Sequence, residues 1–95
     1  MTGKIQTKSN SGSGYFKTDD GFLMKWQEAE FANGDYAKTL YWGGEFTQID
    51  TVMLSTGAND VTTSAVINNS NSVNVGRRPA TTACTVRCLA IGRWK

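Results

Sequence analysis

The chain contains no histidine, a single proline and only two cysteines. Without histidine, the serine–histidine and cysteine–histidine pairs that activate a nucleophile are excluded. Two cysteines alone do not complete a closed zinc site, and no cofactor is expected. Cys84 and Cys88 are four residues apart. On a strand they would share one face at about 13 Å, beyond the roughly 4.4–6.8 Å between Cα atoms that a disulfide spans. Both therefore read as small buried apolar residues. No apolar run approaches the roughly 18 residues of a transmembrane helix, and Met1–Gln6 lacks the apolar centre of a signal peptide. The expectation is a chain made in a cytoplasm, soluble and without membrane insertion. Ten basic against eight acidic residues leave a net charge of +2, too little to imply a nucleic-acid partner. Leucine is scarce too, which points away from helix.

What is abundant is threonine, serine, asparagine, glycine and aromatics, a profile that suits short strands joined by polar turns. The 95 residues allow one small domain, which buries only roughly 60–65% of its unfolded surface. Such a domain needs extra burial from a metal, disulfides or other copies of itself. With the first two disfavoured, oligomerisation is the expected source.

Alternation begins around Asp19-Asp20-Gly21. Tyr15–Thr18 and Phe22–Gln27 flank this turn, and Asp-Gly between apolar runs signals a hairpin. Phe22, Met24 and Trp26 point one way and Leu23, Lys25 and Gln27 the other, so a hairpin with one apolar face is expected. Before it, residues 1–13 have linker composition and read as a flexible lead-in, the domain proper being 14–95. Lys25–Phe31 admits two readings: a helix capped by Asn33-Gly34, or a strand with Asn-Gly as the next hairpin turn. We take the strand, because Asp35–Trp42 alternates again. Further strands are expected within Phe46–Ser55, Val61–Ile67, Ser72–Val75 and Thr81–Ile91, with Asn68–Asn71 as a polar turn. The fold class is all-β: a small antiparallel β-sandwich of about seven to eight strands. The last strand is apolar on both faces, with Cys84, Val86, Cys88 and Ala90 opposite Leu89 and Ile91. That again asks for a second layer or a neighbouring subunit.

Carboxylate pairs exist but carry no chemistry. Asp19 and Asp20 sit where turns favour aspartate. Glu28 and Glu30, about 7 Å apart on a strand face, read as a solvated surface rather than a glycosidase pair. The chain reads as non-enzymatic. For binding, the candidates are Tyr41 and Trp42 beside Gly43-Gly44, the amides Asn68, Asn69 and Asn71 on a loop tip, and Arg77 and Arg78 for an anionic group. Stacking faces with amides and hydroxyls suit sugars.

Gly14-Tyr15-Phe16-Lys17, a turn ending in Gly21, then Phe22-Leu23-Met24-Lys25-Trp26 resembles the start of a C-terminal domain common on bacteriophage tail fibres. The closing Leu89-Ala90-Ile91-Gly92-Arg93-Trp94 resembles that family's chain end. Phe46 and Ile49–Ser55 sit where the family has its middle strand. Two positions depart from the pattern: Gln27 replaces a usual glycine after the tryptophan, and no proline precedes Phe46. The resemblance implies a knob-like domain at the distal tip of a virion's tail fibre, forming a homotrimer and synthesised in the host cytoplasm. It implies attachment to a bacterial surface glycan such as lipopolysaccharide or capsule. The alternative it leaves is a structural trimerisation cap without receptor contact.

Overall fold

The computed structural model describes residues 5–10, 13–56, 61–78 and 83–95, the first of these ranges by its backbone alone. Every regular element in them is a strand: β1 (Ile5–Asn10), β2 (Ser13–Thr18), β3 (Phe22–Phe31), β4 (Ala37–Tyr41), β5 (Gln48–Thr56), β6 (Thr62–Ile67), β7 (Ser72–Arg78) and β8 (Cys84–Arg93). They form a five-stranded sheet in the order β1-β2-β3-β8-β5 and a three-stranded sheet in the order β4-β7-β6, with every pairing antiparallel. This is the expected sandwich.

The two stretches that carried the family resemblance meet in space. β3 and β8 pair along their whole length, from Phe22 opposite Arg93 to Phe31 opposite Cys84. The β2–β3 turn closes through Gly21 N to Thr18 O at 3.2 Å, with Gly21 at φ +114°. Trp94 then seals that hairpin, since its Nε1 donates to Thr18 O at 2.7 Å and its backbone N to Gly21 O at 3.0 Å.

The core lies between the sheets. Leu23, Ala29 and Phe31 of β3 and Val86, Cys88 and Ala90 of β8 meet Leu40, Val73 and Val75 of the smaller sheet, with Trp42, Phe46 and Ile49 joining from the connections and β5. Cys84 and Cys88 are free thiols, and burial pushes the Cys88 thiol up to about 11. β5 keeps Ile49 and Val52 on the core side despite their odd spacing, because its register slips between Ile49 and Thr51. A bulge of this kind adds one residue to one strand and resets its parity.

Three expectations are corrected. The polar segment before Gly14 contains β1, which pairs with β2 from Ile5 opposite Thr18 to Asn10 opposite Ser13. An edge strand is held by its backbone and needs no apolar face, so composition does not reveal it. Asn33-Gly34 is not a hairpin turn between paired strands. β3 already has β2 on one side and β8 on the other, so the chain after Phe31 must leave the sheet. It does so through a turn in which Asp35 N donates to Ala32 O at 3.0 Å and Asp35 Oδ2 accepts from Ala32 N at 2.9 Å. Finally, the core face of β3 is the one bearing Leu23, Lys25 and Gln27. Ala29 and Phe31 are 3% and 2% exposed, and with a period of two their inward parity fixes that of every earlier residue. Phe22, Met24 and Trp26 consequently lie on the outer face.

Candidate functional site

Two polar side chains of β3, Lys25 and Gln27, face the smaller sheet and grip the chain that leaves β4. Lys25 Nζ donates to Trp42 O at 2.9 Å and to Glu45 Oε1 at 2.7 Å, and Gln27 Nε2 donates to Tyr41 O at 2.9 Å. The turn itself needs Gly43 and Gly44, at φ +78° and +79°, a conformation that costs other residues roughly 1–2 kcal/mol each. The β6–β7 turn completes the arrangement: Trp42 N donates to Asn71 O at 2.9 Å and Gly44 N to Asn71 Oδ1 at 2.7 Å.

An open cleft of about 370 Å³ results, with Tyr15, Lys25, Gln27, Tyr41, Trp42 and Glu45 among its walls. The hydrogen bond from Lys25, with the charges of Lys25 and Lys17 behind it, holds the Glu45 carboxyl below its usual range; Lys17 Nζ lies 3.8 Å from Glu45 Oε2. Two ammonium groups share the one carboxylate, which leaves the rim positive. An exposed phenol ring beside amides and carbonyls suits a ligand with hydroxyls and an apolar ring face. Among the described residues, no group of three or more His, Cys, Asp or Glu is placed to share a metal ion.

The structure sorts the predicted residues into two places. Tyr41, Trp42, Asn68, Asn69 and Asn71 gather at the cleft end; Arg77 and Arg78 lie at the far end of β7, about 20 Å away by strand rise. Tyr41 is 66% exposed and forms the rim. Trp42 is 2% exposed and meets Phe46 edge-to-face at 6.1 Å, so it is core rather than a stacking platform, and its buried Nε1 has no hydrogen-bond partner. Asn69 is a turn-former, its Oδ1 accepting from Asn71 N at 2.8 Å and Ser72 N at 3.0 Å. Asn68 Nδ2 donates to Asn74 Oδ1 at 2.9 Å, an oxygen that also accepts from Thr39 Oγ1 at 2.7 Å. Arg77 is 2% exposed: its Nε donates to Asp35 O at 2.9 Å and its Nη2 to Ala32 O at 2.6 Å, over the Phe31 ring. It is a staple for the β3–β4 turn. Arg78 is exposed.

Sequence reasoning missed Tyr15, Lys25, Gln27 and Glu45. The available signal was Lys25 and Gln27 alternating with Leu23, a polar pair on a face that becomes the inner one. A second concavity, about 610 Å³, lies on the outer face of the larger sheet, with Trp26, Met53 and Leu89 on its floor. These three form one row across β3, β8 and β5. Glu28 and Arg87 pair beside it at 3.4 Å.

No family model and no curated protein matches the sequence. Solved structures do. An N-truncated R2-type pyocin tail fibre superposes with a TM-score of 0.81 over 98% of this chain at 12% identity. An R2 pyocin fibre of P. aeruginosa gives 0.77 over 95% at 12% identity, and an R1 pyocin fibre of P. aeruginosa gives 0.67 over 94% at 18%. The chain spans 39%, 26% and 28% of those chains. This polypeptide therefore has the fold of a domain of R-type pyocin tail fibres.

Proposed function

We propose that the chain is the receptor-binding tip domain of a phage or phage-tail-like fibre, working as a homotrimer that attaches to a bacterial surface polysaccharide. The observation that carries the reading is the fold match over 98% of the chain to a pyocin tail fibre. The cleft beneath Tyr41, with its ring face and amide surroundings, supports a sugar as ligand. Attachment is by binding and involves no catalytic step. Three weak sites on one fibre tip would act together, so avidity gives firm yet reversible attachment from individually weak contacts. The site of action is the distal end of the particle's tail.

The test is staining of bacterial strains with the fluorescently labelled domain. Wild type is expected to stain susceptible cells and to compete with the particle for them, and Tyr41→Ala to reduce staining several-fold.

One feature favours a second reading, a structural cap that registers the trimer. The outer face of the five-stranded sheet carries Phe16, Met24, Trp26, Leu89 and Ile91, with Phe22 and Met53 at 40% and 53% exposed. That face suits burial against sister copies. A domain that sediments as three chains yet stains no strain would be a cap alone.

A further inference from the structure

Arg77 and Arg78 are neighbours with opposite fates, and the difference builds a second site. While the Arg77 guanidinium is drawn under the β3–β4 turn, Arg78 opens onto a groove of about 490 Å³ lined also by Tyr36, Ala37, Thr62, Ser64 and Gly76. Strand pairing places Ala37, Gly76 and Ser64 in one row and Thr62 opposite Arg78. Tyr36 is 65% exposed, yet its backbone is fixed, because Arg77 N donates to Tyr36 O at 2.9 Å.

The floor of the groove exists because residue 76 is glycine. A Cβ there would stand 3.1 Å from Ser64 Oγ and 3.6 Å from Tyr36 O. Gly76 is not among the glycines with positive φ, so the backbone does not require it; what it supplies is space. Glycine inside a strand weakens pairing and marks a place where something approaches closely. Among the described residues, no acidic side chain lines the groove. The nearby Asp35 carboxylate is turned to Ala32 N at 2.9 Å and Lys38 Nζ at 3.7 Å.

We propose that this groove binds an acidic sugar unit of the surface polysaccharide. Arg78 pairs with the carboxylate or phosphate in the manner guanidinium favours. The ring of Tyr36 covers the apolar face of the sugar, and Thr62 and Ser64 exchange hydrogen bonds with its hydroxyls. The proposal rests on the receptor reading above and adds to it a ligand charge and a second contact point remote from the Tyr41 cleft.

The experiment titrates the domain with methyl β-D-glucuronide, glucose 6-phosphate and methyl β-D-glucoside, read by NMR shifts of the Ser64, Gly76 and Arg78 amides. At least one charged sugar is expected to bind about tenfold more tightly than the neutral one; the carboxylate and phosphate arms identify which acid the site takes. Arg78→Gln, at an exposed position, should abolish that preference, and Gly76→Val should fill the groove and abolish binding there. Equal affinity for charged and neutral sugars would overturn the proposal, as would shifts confined to the Tyr41 cleft. Staining separates the two readings: if wild type stains cells and Arg78→Gln stains them equally, the groove proposal fails and receptor binding stands.

Discussion

Arg77 is a cation 2% exposed to solvent, and its neighbours explain why it tolerates burial: two backbone carbonyls accept its N–H groups, and the Phe31 ring lies 5.3 Å away. Replacing it with methionine keeps much of the volume but takes its donor from Asp35 O and leaves Ala32 O with the Asp35 N–H alone. Arg77→Met should therefore cost about 3 kcal/mol in chemical denaturation, whereas Arg78→Gln should leave stability within about 0.5 kcal/mol. Glu45 makes a pH-dependent contribution. Its folded carboxyl sits below the ordinary glutamate value of 4.5, so the stabilisation is fully present above that pH and lost as pH falls through the lower folded value. Glu45→Gln should flatten the fall in thermal midpoint below about pH 4.5, and parallel wild-type and variant curves would contradict this. At this scale the sequence was legible where local chemistry decides: Asn69 forms a turn because its side chain caps the backbone two and three residues on. It was not legible for Trp42, which is buried in a core drawn from both sheets, or for Arg77, whose burial depends on Phe31 and the β3–β4 turn, remote in sequence.

Among the elements, the β5–β8 pair has the least tolerance. A Cβ on Gly92 would lie 2.0 Å from Gln48 O and 2.9 Å from Ile49 Cα, beside the bulge that lets Ile49 and Val52 share the core face. Main chain cannot step aside as a flexible side chain can. Gly92→Ala is expected to cost about 3 kcal/mol, measured as a drop in denaturation midpoint with little change in slope. Strand positions and the hairpins at Gly21 and Asn68–Asn71 were readable from period-two alternation and turn residues. Pairing partners were not: nothing local in Phe31-Ala32-Asn33-Gly34 tells that both edges of β3 are taken. Likewise β1 is held by main-chain bonds, which leave no signature in residue type.

At the scale of the whole molecule, the outer face of the five-stranded sheet demands cover. Leu89 sits at the centre of the row Trp26, Leu89, Met53. A trimer predicts a sedimentation mass three times that of one chain, and Leu89→Glu should shift it towards the single-chain value while circular dichroism stays that of a β domain. A wild-type mass equal to one chain would refute the trimer. The apolar residues of this face were visible in sequence, but their direction was not, because one parity decision made at Ala29 and Phe31 reverses all of β3. The grip of Lys25 and Gln27 on the carbonyls of residues 41 and 42 has a consequence of another kind. A hold on main-chain oxygens is blind to the side chains at those positions. Residue 41 can change identity without disturbing the turn, so specificity there can be rewritten while the scaffold is kept.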